Sequence, residues 1–234
     1  MGGTAAPRFL VSLDFELMWG VRETRTVSSY GSNILGGREA IPKMLALFTE
    51  HGVKATWATV GMLLFDGKKQ LLEALPELRP TYDNRRLDPY ASLDSLGASE
   101  SSDPFHFGLS LARRIAECDG MELASHTFSH YFALEPGQTR EQFAADLVAS
   151  VRVSEGVSGK PKSLVFPRNQ VNPRYFDVCR DAGIEAFRGT EGGWIHRAGD
   201  SRGNTRSRRA AAELNSWAAS TLWGPGPTFP SCSP

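Results

Sequence analysis

From about residue 9 to about residue 190 the chain alternates short apolar runs with longer amphipathic segments. Residues 9–17, FLVSLDFEL, form a β-rich run in which Asp14 and Glu16 share one parity, so a strand there points both acids the same way. Residues 38–51 place Ile41, Met44, Leu45 and Phe48 at helical spacing, with Pro42 tolerable only in a first turn and Gly52 as a stop. Residues 54–61, KATWATVG, are a second β-rich run closed by glycine. Strand, helix and strand in that order predict a βαβ unit with a parallel sheet. Another helix is predicted over 68–78. Residues 79–106, rich in Pro, Asp, Ser and Gly, show no sustained period and predict a long loop insertion, either a lid or binding loop or a mobile surface excursion. Tyr82, Tyr90, Phe105 and Phe107 in and beside it offer stacking surface to a ligand. Periodicity returns with a helix over 109–118, a strand over 121–126 and a helix over 139–154, where Phe143, Leu147 and Val151 share a face. A strand over 163–166, a helix over 172–182 stopped by Gly183 and a strand over 184–188 complete an α/β pattern without internal repeats.

The pattern predicts one domain over residues 1–197. Beyond it, residues 198–234 are rich in Ala, Ser, Gly and Pro, carry four arginines and show no clear strand. They read either as a divergent final helix (210–223) with a loose end or as an altered carboxyl terminus.

Composition narrows the classes of function. With 234 residues, folding buries roughly 70–75% of the surface an unfolded chain exposes, so a core needs no disulfide scaffold. Twenty-six basic side chains balance twenty-six acidic ones, leaving no global field to draw nucleic acid or anionic lipid. No run approaches the ~18 apolar residues of a membrane span, and Asp14 and Glu16 arrive before a signal-peptide core could form, so a cytoplasmic location is expected. Cys118, Cys179 and Cys232 are odd in number, widely spaced and in no CxxC pattern, which argues against a disulfide framework or a thiolate zinc site.

The strongest chemical signal is Ser125-His126-Thr127-Phe128-Ser129-His130, two histidines four apart after a predicted strand. Imidazoles at that spacing can reach one metal; zinc takes histidine nitrogen at ~2.0–2.1 Å, and catalytic sites use three protein ligands with one position open. Asp14 and Glu16 end the first predicted strand, and strand carboxyl ends in a parallel sheet or barrel face the ligand crevice. One carboxylate could therefore bind a metal while its neighbour accepts a proton from water. Structurally, either acid could instead pair with Arg22 or Arg38. Gly36-Gly37 and Gly192-Gly193 read as turns, because no phosphate-loop Lys-Ser/Thr follows them.

The segments SLDFE (12–16), ATWATVG (55–61), SHTFSH (125–130) and FPRNQ (166–170) resemble, in order and spacing, the polysaccharide deacetylase or NodB-homology family of carbohydrate esterases, over about residues 8–190. The resemblance implies a deformed (β/α) barrel, incomplete at the carboxyl end, holding a divalent metal, usually Zn²⁺. His126 and His130 match the family's HxxxH motif. The first motif departs: the family commonly has adjacent aspartates, whereas Phe15 separates Asp14 from Glu16 here. That arrangement is similar to a branch with an Asp-x-Asp start, which includes deacetylases of lipid-linked sugars and hydrolases of small amides. The resemblance thus implies Asp14 as base and Glu16 as metal ligand, with the reverse open. It also implies Arg168 as the cation that orients Asp14. Trp19, Trp57 and Asn169 lie near the predicted site and could line a sugar pocket, although aromatic residues at strand ends are more often core. The family's last motif, which carries a histidine acting as general acid, has no counterpart, and His196 comes too early with the wrong neighbours. The expected activity is metal-dependent removal of N-acetyl groups from an amino sugar of a polysaccharide or glycoconjugate precursor. Hydrolysis of a small linear or cyclic amide at the same site is a second possibility. A catalytically impaired carbohydrate-binding or scaffold protein is a third, since a positioned acid is worth typically ~10²–10⁴ in rate.

Overall fold

A computed structural model describes residues 9–189. Five strands, β1 (Val11–Phe15), β2 (Ala55–Thr59), β3 (Met121–Ser125), β4 (Ser163–Val165) and β5 (Ala186–Arg188), lie side by side in sequence order. All neighbouring pairs are parallel. Between them run α1 (Val27–Glu50), α2 (Lys68–Glu73), α3 (Leu109–Ala116), α4 (Arg140–Glu155) and α5 (Phe176–Asp181). The sheet curls: Arg188 at the end of β5 reaches Ser12 and Asp14 of β1, at the other edge of the sheet. The described residues thus form the arc of a deformed (β/α) barrel, with the carboxyl ends of β1, β3 and β5 turned toward one mouth.

Each strand is short because its ends are fixed by turns, and its buried positions pack on the helices. Phe15, Trp57, Ile41, Leu45 and Ile115 share one core, and Phe143, Leu164, Phe166 and Tyr175 a second. Phe143 of α4 stacks on Tyr175 with ring centroids 4.6 Å apart. Fully burying a side chain of this kind is worth ~1.5–3 kcal/mol, which helps hold α4 against β4 and the turn that leads into α5.

Four elements depart from the expected pattern. The first helix begins at Val27 rather than Arg38, because Thr26 and Ser29 form a capping box, and it continues to Glu50. Gly36 and Gly37 are therefore helical and not a turn, and nothing would crowd a side chain at either position. Pro42 lies deep in the helix and not in its first turn. A proline there forfeits one backbone hydrogen bond and costs about 3 kcal/mol. Burial of Ile34, Ile41 and Leu45 and the anchoring of Arg38 offset that cost; Arg38 pairs with Glu100 at 2.6 Å and donates to the Phe107 carbonyl at 2.8 Å.

The second helix stops at Glu73 instead of residue 78, since Pro76 disfavours helix in the residue before it. Before α5, Pro173–Tyr175 form a 3₁₀ turn where the pattern predicts helix. Residues 79–106 have no long element, yet they are not a surface excursion. They make 3₁₀ turns at Arg85–Leu87 and Pro89–Ser95 and bury Tyr82, Leu87, Leu93 and Leu96. Tyr82 and Phe107 are core residues rather than ligand platforms, and Phe105 packs against Gly31 of α1.

No helix among the described residues is long and apolar enough to cross a membrane. Gly192-Gly193, His196 and the segment 198–234 lie outside the described residues.

Candidate metal centre

Glu16 follows β1 directly and caps the 3₁₀ turn Leu17–Gly20. Its carboxylate folds back over that turn, into space that only glycine leaves: a Cβ on Gly20 would sit 2.0 Å from both Cδ and Oε1 of Glu16. His126 follows β3, with its backbone N–H on the Thr59 carbonyl of β2 at 2.9 Å. The chain then turns through Thr127 and His130, both at positive φ, 62° and 56°. Non-glycine residues in that region cost about 1–3 kcal/mol each and persist where the surroundings over-determine them.

Asp146, fully buried on α4, is one such constraint. It accepts the backbone N–H groups of Phe128 at 2.7 Å and Ser129 at 3.4 Å and takes the Ser129 hydroxyl as well. Tyr131 N–H closes the turn on the Thr127 hydroxyl at 2.7 Å. Burial pushes the Asp146 carboxyl up to about 6, against the pull of those hydrogen bonds.

These turns bring three donors together. Glu16 Oε2 lies 3.2 Å from His126 Nε2 and 3.0 Å from His130 Nε2. One ligand atom from each of Glu16, His126 and His130 falls within 4.8 Å of the others. Ligands on a tetrahedral ion with bonds of ~2.0–2.1 Å are about 3.4 Å apart, so the spacing suits one cation. Hydrogen-bond direction supports the same fit. His126 Nδ1 faces the Val165 carbonyl at 2.8 Å, which can only accept. With Nδ1–H donated there, the Nε2 lone pair that a metal ligand needs points at the lone pairs of Glu16, a juxtaposition that a cation between them relieves. Burial by itself would raise the Glu16 carboxyl, but its close contacts with His126 and His130 outweigh it and hold the group well below the usual carboxylate range. Burial pushes His130 down to about 4, keeping the imidazole neutral despite the nearby Glu16.

Asp14 stands two residues before Glu16 and outside the cluster of three. Its carboxylate, 35% exposed at the mouth, is gripped in a fork by Arg188 at 2.8 Å and 3.0 Å. Arg188 also donates to Asn169 Oδ1 at 3.4 Å, which places Asn169 at the same rim. Arg168 is not brought to Asp14. It pairs with Glu23 and lies over the Phe132 ring at 5.0 Å, because positive φ at Arg168 and Asn169 swings the two side chains of this turn apart. Arg188 is the residue sequence reasoning missed; a cation ending a short apolar strand, opposite an acid ending another, was the available signal.

Trp19 and Trp57 are buried at 0% and 2% exposure and cannot line a sugar pocket. The Trp19 indole donates to the His106 carbonyl at 2.8 Å, and Trp57 packs on Phe48 in the core. Arg38 and Arg22 bond to groups other than the two acids: Arg38 pairs with Glu100, and Arg22 reaches His130. His106 pairs with Asp103 at 2.9 Å, away from the three donors.

The family model described as polysaccharide deacetylase matches residues 28–187. No curated protein matches the chain. Among solved structures, a CE4 family pseudoenzyme from Bacillus anthracis aligns at 13% identity with a TM-score of 0.43, over 77% of this chain and 43% of its own. IcaB from Ammonifex degensii aligns at 12% identity and 0.45, over 77% of this chain and 58% of its own. A family 4 carbohydrate esterase from Streptomyces lividans, in complex with acetate, aligns at 15% identity and 0.41, over 78% and 62%. The chain thus corresponds to roughly half the length of the structures it matches.

Proposed function

The chain belongs to the polysaccharide deacetylase family, and from that premise we propose that it is a metal-dependent hydrolase that removes N-acetyl groups from an amino sugar of a polysaccharide or glycoconjugate precursor. The observation that carries the reading is the meeting of Glu16 Oε2 with Nε2 of His126 and Nε2 of His130 at 3.0–3.2 Å. Glu16, His126 and His130 are the residues that hold the cation, with Zn²⁺ the natural occupant of a two-imidazole, one-carboxylate set. A divalent cation bound there supplies Lewis acidity to an amide carbonyl and to the water that attacks it.

The rest is the work of this chain's side chains. Asp14 takes the proton of the attacking water on a carboxylate oxygen. Arg188 holds that carboxylate in position by a two-pronged hydrogen bond, the geometry a guanidinium offers best. Asn169 stands beside the pair at the rim, where a sugar hydroxyl or acetamide can meet its side chain. Phe132, fully buried, meets the His130 ring edge-on and keeps bulk water from that side of the imidazole.

The test is acetate release from N-acetylglucosamine oligomers with and without a chelator, in the wild type and in Asp14→Asn. Chelator-sensitive release that Asp14→Asn abolishes, with zinc still bound, supports the reading. Acetate release at wild-type rate from Asp14→Asn removes Asp14 as the base, and no release from the wild type with zinc present refutes the assignment of substrate.

A further inference from the structure

One group behind the three donors is unlike the usual support of a metal site. A ligand imidazole ordinarily gives its second ring N–H to a carbonyl or carboxylate, which leaves the lone pair of the other nitrogen for the ion. His126 does this through Val165. His130 does not: its Nδ1 lies 3.4 Å from a terminal nitrogen of Arg22. A guanidinium has donors only, so the contact is attractive when Nδ1 carries the lone pair. The neutral ring then holds its proton on Nε2, where Glu16 Oε2 accepts it at 3.0 Å. Both nitrogens of His130 are satisfied in that tautomer and neither is in the other.

Arg22 is also fixed in place. The same terminal nitrogen donates to the Trp19 carbonyl at 2.6 Å, and the other donates to the Leu87 carbonyl at 2.8 Å. Its guanidinium lies 5.2 Å over the Phe132 ring, which meets His130 edge-on. Trp19 belongs to the turn after Glu16, and Leu87 to the 79–106 segment. Arg22 therefore ties three parts of the chain together behind one imidazole.

We propose that Arg22 is a positioning residue that holds His130 in its Nε2–H tautomer in the metal-free protein and thereby lowers the affinity of the Glu16, His126 and His130 site for a divalent cation. The inference rests on reading that cluster as a metal site. For His130 Nε2 to donate a lone pair, its proton must leave or pass to Nδ1. On Nδ1 it would face an arginine N–H, donor against donor, so Arg22 has to let go of the ring. Its fixed positive charge adds a second penalty. The same contact keeps His130 tied to Glu16 before any ion arrives, so the three side chains stay assembled.

Two measurements on the full chain test this, and neither depends on deacetylation. In a long-range ¹H–¹⁵N spectrum of the metal-free, histidine-labelled protein near neutral pH, His126 should carry its proton on Nδ1 and His130 on Nε2. In a Zn²⁺ competition titration against a chromophoric chelator, Arg22→Met should bind roughly 10–100-fold more tightly than the wild type, the span by which such supporting groups shift affinity. Arg22→Lys, which keeps a donor and a charge, should stay near wild type. A His130 proton on Nδ1 in the wild type overturns the proposal, as does a folded Arg22→Met variant that binds Zn²⁺ no more tightly. Should Arg22→Met fail to fold, the wild-type tautomer decides alone. Failure to release acetate from any sugar would sink the proposed activity and leave this inference standing.

Discussion

Replacing Gly20 by alanine probes the centre with a single methyl group. The new Cβ would fall 2.0 Å from Cδ and Oε1 of Glu16 and 2.6 Å from its Cγ. Carbon atoms in contact need roughly 3.5 Å, so the overlap is about 1.5 Å. The carboxylate is the end of a flexible side chain, whereas the Gly20 backbone is held in the turn that orders Trp19, so Glu16 is what moves. A displacement of that size carries Oε2 beyond hydrogen-bond reach of both imidazoles, which now stand at 3.0–3.2 Å. The variant keeps two of three protein ligands. Its Zn²⁺ affinity should fall at least ~100-fold, beyond what loss of a supporting group costs. Stability should not fall with it, since Gly→Ala at a compatible backbone position gains ~0.4–1 kcal/mol through the unfolded chain. The assay is chelator competition with Zn²⁺ on Gly20→Ala, Glu16→Gln and the wild type, with thermal unfolding of the metal-free proteins alongside. A Gly20→Ala protein that binds Zn²⁺ like the wild type would refute the geometry, and so would one that loses affinity only because it unfolds.

Three further outcomes follow from the same geometry. Arg188→Ala should leave Zn²⁺ affinity unchanged while slowing acetate release at least ~10-fold, a part of the ~10²–10⁴ that a positioned base is worth; a matching loss of both would show that Arg188 supports the ligands instead. In the metal-free protein the two perturbed groups pull stability in opposite directions with pH. His130, lowered from 6.5 to about 4, contributes stability that is present above pH 6.5 and lost as the pH falls through 4. Asp146, raised from 3.8 to about 6, contributes stability that is present below pH 3.8 and lost as the pH rises through 6. Urea unfolding should accordingly show their contributions nearly cancelling between about pH 4 and pH 6, and Asp146→Asn should unmask a loss of stability on acidification; an unchanged profile in that variant would contradict the assignment of the pair. Trp57→Ala should cost about 3–5 kcal/mol, as truncation of a core aromatic does, without changing how the folded protein binds N-acetylglucosamine oligomers; weaker sugar binding at equal stability would put the indole back in a pocket.

The succession of strands and helices is legible in the sequence because each strand is a short apolar run between turn residues, and the order βαβ leaves little freedom of topology. His126 and His130 are legible from their spacing and from the strand before them. Other features depend on three-dimensional packing. Nothing in the periodicity tells that α1 runs through three glycines and a proline, since the compensation comes from Arg38 bonding to residues 100 and 107. The aromatic residues around 79–107 look like exposed ligand platforms until Tyr82 is seen accepting the backbone N–H of Phe132. Arg168 stands in the motif-like position after Pro167, but a left-handed backbone there directs it to Glu23, and the cation that serves Asp14 comes from β5 by the curl of the sheet. Gly20, Asp146 and Arg22 act through space that a linear pattern does not encode.

The central claim is that Glu16, His126 and His130 share one cation. Anomalous diffraction from crystals of the protein soaked in zinc measures this directly. A peak within ~2.0–2.2 Å of a Glu16 carboxylate oxygen and ~2.0–2.1 Å of Nε2 of both histidines is the predicted result. A fully soaked crystal with no peak among these three side chains, or with zinc bound elsewhere and the three left as they are, would contradict it.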